Sequence, residues 1–67
     1  MLLSRVSILT GEFHERELDI TEAQLNAYEN FGVLVQDAFP NLSTADREFI
    51  VSGITAEEWA AHFGEDL

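Results

Sequence analysis

Two histidines and thirteen carboxylates are the side chains of this 67-residue chain with the most chemistry to offer. His14 or His62 combined with Glu15, Glu65 or Asp66 could in principle hold a metal ion. Their spacing matches no ligand signature, however, and on a strand His14 points away from Glu15. No metal site and no other cofactor is therefore expected. Nucleophilic catalysis fares no better, because the serines and threonines fall at helix starts or in strands, and "HExxH", "GxSxG" and a glycine-rich phosphate loop are missing. Paired carboxylates occur because carboxylates are everywhere, and so small a domain offers little concavity to desolvate them. The chain reads as non-enzymatic.

What remains is charge. Glu15, Glu17 and Asp19 alternate along one strand face, with about 6.8 Å between successive members at a rise of about 3.4 Å per residue. That spacing is of the same order as successive phosphates in a nucleic acid. The row therefore has two readings, imitation of a phosphate backbone against a basic groove in another protein, or a solvated strand face that resists aggregation. Thirteen acids against three arginines and no lysine give a net charge of −10, which excludes binding nucleic acid through its phosphates and disfavours anionic membranes. Basic protein surfaces are the partners left.

The elements that must carry these residues follow from periodicity and punctuation. Residues 2–9 and 13–20 are rich in alternating or β-branched apolar residues, and "TGE" between them supplies a turn glycine, so a β-hairpin is expected. A two-residue loop at Thr10 and Gly11 would set Arg5 against Arg16 and put Leu18 on the opposite face from Val6 and Ile8. A three-residue loop, with Leu9 opposite Phe13, collects Leu2, Val6, Ile8, Leu18 and Ile20 on a core face and pairs Arg5 with Glu17 on the wet one. Leu3, Leu9 and Phe13 then lie on the solvent face, where they suggest self-association, a homodimer through the hairpin.

From Thr21 the period becomes helical. "ITEAQL", "LSTAD" and "ITAEEW" set Thr21, Ser43 and Thr55 as N-caps, each with a capping-box partner three residues on, at Gln24, Asp46 and Glu58. Gly32, Gly53 and Gly64 follow apolar stretches as stops, and Pro40 ends a helical turn or two in "VLVQDAF". The expected fold is a single α+β domain, with a hairpin over 2–20 and three or four short helices over 21–64. The expected helical core is Leu25, Tyr28, Phe31, Leu34, Val35, Ala38, Phe39, Phe49, Ile50, Trp59 and Phe63. Trp59 is placed for a staple contact with Ile54 and so is expected inside, the alternative being an exposed anchor for a partner.

So short a chain has no cysteine to staple it, which leaves good local signals, self-association, or both. Absent thiols fit a reducing compartment. The stretch "MLLSRVSILTG" is too short and too alternating for a signal peptide or a membrane span.

The words "ITEAQL", "VQDAFPNLSTADREFI" and "GITAEEWAAHFG" resemble those of short acidic proteins encoded by bacteriophages, over about two thirds of the chain. That group brings no established function and no site residues. The resemblance implies a small accessory protein in the cytoplasm of an infected bacterium. There it would bind, and inhibit, a host or phage nucleic-acid enzyme or a defence complex. The residues expected at such a surface are Glu15, Glu17, Asp19, Glu57 and Glu58. The alternative is a homo-oligomeric phage structural or assembly protein.

Overall fold

Residues 1–64 are described by the computed structural model. The chain forms β1 (Leu2–Val6) and β2 (Phe13–Glu17), then α1 (Glu22–Asn30), α2 (Val35–Ala38), α3 (Thr44–Ser52) and α4 (Ala56–Phe63). This is the expected α+β order, an antiparallel hairpin followed by four helices. The start signals act as read at Thr21 and Thr55, where each hydroxyl accepts the backbone N–H three residues on and the Gln24 or Glu58 side chain accepts the cap's own N–H. At α3 the Ser43 hydroxyl caps the Asp46 N–H, but the box stays open because the Asp46 carboxylate turns to Arg16 at 3.2 Å.

The hairpin register departs from expectation. Val6, not Leu9, lies opposite Phe13, and Leu2, not Arg5, lies opposite Glu17, while Arg5 faces His14. Residues 7–12 form a longer connection, and its polar groups are satisfied locally. The buried Ser7 hydroxyl accepts the N–H groups of Leu9 and Thr10, the Thr10 hydroxyl accepts that of Glu12, and the Ser7 carbonyl accepts that of Gly11. Hydroxyls bonding their own neighbouring backbone make such a loop affordable. A shift of three residues inverts one strand, so β1 turns Leu2 and Val6 outward and buries Leu3, Ile8 just beyond it is exposed, and Leu18 and Ile20 just beyond β2 stay inside.

The core is Leu3, Leu18, Ile20, Ala38, Phe39, Leu42, Phe49 and Ile50, with Leu25, Tyr28, Val33 and Val35 packed around it. Phe31, Leu34 and Phe63, expected inside, are exposed. Trp59 is half-buried and outside the core cluster. It stacks on Phe63 at 4.6 Å and lines a shallow cleft of about 450 Å³ between α3 and α4 with Ala45, Glu48 and Ala56. The core expectation for Trp59 therefore fails because α4 lies beside the core rather than on it.

β1 docks on the C-terminal turn of α3. The Ile8 N–H donates to the Ser52 carbonyl at 3.0 Å, and Arg5 Nε donates to the Ile50 carbonyl at 3.2 Å. Both acceptors belong to the last helical turn, which has no partners of its own. Gly53 then takes φ +76°, and a Cβ there would lie 2.5 Å from the Val6 carbonyl oxygen. At Gly32, φ is +70° with nothing within 4 Å. Alanine at either position bears the left-handed strain of roughly 1–2 kcal/mol, and only Gly53→Ala also forces β1 off α3. Equilibrium urea unfolding should therefore find Gly53→Ala the more destabilised by well over 1 kcal/mol. Equal losses would contradict this docking.

Candidate functional site

Arg5, Arg16 and His14, on the inward face of the hairpin, each reach a helix. Arg5 joins Glu29 of α1 at 3.0 Å as well as the Ile50 carbonyl, Arg16 pairs with Asp46 and lies over the Phe49 ring, and His14 approaches Glu58 of α4 at 3.1 Å. The third arginine, Arg47, donates to the Phe39 and Pro40 carbonyls. All three arginines are thus engaged within the fold, and the acids of the outer surface have little to neutralise them.

Glu15 and Glu17 share the outward face of β2, as expected, and both are exposed. Glu15 accepts from the Ser4 hydroxyl at 3.2 Å, and Glu17 meets the Met1 amine while its side chain stays 72% exposed. Asp19 is exposed just beyond the strand, and Glu57 is exposed on α4, a separate element. Glu58 departs from expectation: it is 8% exposed, so it turns into the fold and presents nothing to a partner. Leu3 departs likewise, being 5% exposed in the core, and Leu9 is half-buried. Phe13 is 63% exposed, and beside it on the outward face stands Val6 at 58%, its cross-strand partner.

The β2 edge is the second feature. Ser7 donates to the Glu12 carbonyl and Leu18 to that of Met1, both at 2.9 Å. Bonded and unbonded pairs alternate in an antiparallel ladder, so within the register Leu3/Arg16 and Arg5/His14 are bonded pairs, and Leu2/Glu17, Ser4/Glu15 and Val6/Phe13 are not. The N–H and C=O groups of Phe13, Glu15 and Glu17 therefore point away from β1. Among the described residues they meet no backbone partner there.

The third feature lies under the loop. Glu58 sits at the third position of α4, where one carboxylate oxygen accepts the Thr55 N–H at 3.2 Å and the other takes the Thr10 hydroxyl. His14 Nε2 is 3.1 Å from the second oxygen, and a Glu12 oxygen is 3.9 Å from Nε2 on another side. Sequence reasoning missed this grouping. Glu12 and His14 are two apart and so share a strand face, which was legible; that the face points at α4 depends on the longer loop. Glu65 and Asp66, weighed as ligands with His62, lie outside the described residues.

The Glu58 carboxyl is held down to about 2 from an ordinary 4.5. The Thr10 hydroxyl bond is the largest cause; burial opposes it, and His14 and the Thr55 N–H reinforce it. A depressed folded-state value means that stability is present above about 4.5 and is lost as pH falls toward 2. Glu58→Gln should accordingly be less stable than the parent at pH 7, with the gap closing between pH 4.5 and 2 in a urea-unfolding series. A gap constant across that window would show that Glu58 ionisation contributes nothing to the fold.

No family model matches the chain, and neither a curated protein nor a solved structure matches it. Function has to be argued from these three features.

Proposed function

We propose that this protein is a non-enzymatic interaction module that takes a basic, extended segment of a partner protein alongside β2. The observation that carries this reading is the free edge, where unpaired backbone groups of Phe13, Glu15 and Glu17 lie under two outward carboxylates and one outward aromatic ring. Strand addition supplies affinity through main-chain hydrogen bonds, and alternate side chains supply selection. Side chains of adjacent strands align on one face, so the preferred segment carries basic residues at alternate positions beside Glu15 and Glu17 and an apolar one beside Phe13. Asp19 extends the acidic row, and Glu57 adds to the general negative field rather than to this edge.

Basic segments of that kind are common on proteins that grip nucleic-acid phosphates. Occupying one would inhibit such a protein by competition, which fits the resemblance to short acidic phage proteins and a setting in the infected bacterial cytoplasm. Direct contact with nucleic acid is opposed by the net charge of −10.

A second reading, a homodimer with a structural or assembly role, is favoured by the apolar exposure of Leu2, Val6 and Phe13 on the outward face. Leu3 no longer belongs to that surface. Pairing of β2 with its own copy about Glu15 would set Glu15 against Glu15, and like charges directly opposite destabilise a ladder. Self-association would have to use the outward face instead.

A backbone-amide NMR titration with a short peptide of alternating arginine and valine separates these readings. Shifts should concentrate at Phe13, Glu15 and Glu17. Binding should weaken at least about tenfold from 0.01 to 0.15 M ionic strength, as the screening length falls from roughly 30 to 8 Å. Glu15→Lys with Glu17→Lys should abolish it at unchanged far-ultraviolet circular dichroism. Binding that survives the double reversal would sink the proposal, and a salt-insensitive dimer mass in sedimentation would favour the second reading.

A further inference from the structure

We propose that Glu12, His14 and Glu58 together bind one divalent transition-metal ion of the Zn²⁺ class, clamping the hairpin loop onto α4. The three donor atoms lie within 4.8 Å of one another. Four ligands around zinc at about 2.0–2.1 Å stand roughly 3.3 Å apart, so the 3.1 Å between His14 Nε2 and Glu58 already suits two neighbouring ligands. Glu12, at 3.9 Å from Nε2, is an exposed side chain that has to swing inward by about 1–2 Å to close a set whose donors now lie within 4.8 Å.

His14 Nε2 is the atom that points to a ligand. The atom is shielded from solvent and free of any well-formed hydrogen bond, with a Glu58 oxygen at 3.1 Å and a Glu12 oxygen at 3.9 Å. A shielded ring nitrogen within 3.9 Å of two carboxylates is placed as a metal ligand would be. Buried polar atoms seldom stay unpaired without such a reason.

The surroundings suit the role. The Thr10 hydroxyl donates to the Glu58 oxygen nearest His14 and the Thr55 N–H holds the other oxygen, so the buried carboxylate is fixed in orientation by outer partners. One imidazole with two carboxylates selects against Mg²⁺ and Ca²⁺, which take oxygen ligands, and for zinc and its neighbours. The ion would join positions 12 and 14 to position 58, a long-range link in a chain with no cysteine to provide one.

The experiment is thermal unfolding and calorimetric titration of the chelator-treated protein with zinc chloride, with magnesium chloride as the control. Zinc at saturating concentration should raise Tm by at least about 4 °C, while magnesium leaves it unchanged. Glu12→Gln, at an exposed position where folding is safe, and His14→Ala should each weaken zinc binding tenfold or more. His62→Ala should leave it intact. No rise in Tm overturns the proposal. So does a rise that survives in both Glu12→Gln and His14→Ala, which would mark an adventitious ion only.

Discussion

The docking of β1 on the last turn of α3 organises the molecule. That turn exposes carbonyls with no helical partner, and the hairpin supplies two donors, the Ile8 N–H to Ser52 and the Arg5 guanidinium to Ile50. The Ile8 N–H, next after the bonded Ser7, points away from β2 and toward that turn. The paired strands end at Val6 and Phe13, and residues 7–12 form the connection between them. Gly53 completes the arrangement by letting the helix end approach the Val6 carbonyl without a Cβ in the way. The observed register and strand faces bring Arg5, Ile8 and the Val6 carbonyl to this turn, a contact between segments some 45 residues apart.

That contact explains which parts of the fold were legible in the sequence. Helix starts and stops are local events, and Thr21, Ser43, Thr55 and Gly53 act within three or four residues of themselves. They could be read without knowing the fold. The register could not, because the hairpin alone favours Arg5 beside Glu17, and the competing donor–acceptor pairs lie on α3. Leu3 was consequently put on the wrong face of β1, whereas Glu15 and Glu17 on β2 were put on the right one, since the shift inverted only the first strand. Glu58 was legible as a capping residue; its burial was not, because that depends on where Thr10 and His14 come to rest.

Charge is distributed by the same geometry. An inward hairpin face bearing Arg5, His14 and Arg16 would be costly if it met only hydrocarbon. Here each finds a helix carboxylate, two of them with a carbonyl or aromatic contact added. The two arginine pairs, partly exposed, contribute modestly, about 0.2–1 kcal/mol each, so their effect on position outweighs their effect on stability. They fix which helix sits under which part of the hairpin. Because Arg47 is also turned inward to carbonyls, no arginine is left to balance the outer face, and the acidity of β2 is a consequence of how the interior is assembled.

Edge strands normally invite pairing, and proteins blunt them with charge. On the outward face of β2 the charge has one sign only, so it blunts the edge selectively. A neutral or acidic strand, including the chain's own copy, meets unscreened carboxylates as it tries to pair, while a basic one meets them as partners. Negative charge is also long-ranged and non-directional, whereas ladder bonds act only at contact. In the proposed binding, attraction would bring a basic segment near and the unpaired N–H and C=O groups of Phe13, Glu15 and Glu17 would then fix its alignment. Phe13 and Val6 at the loop end are the apolar part of this surface, and under the proposal they would give an arriving strand a polarity: apolar residue toward the loop, basic residues toward the other end of β2.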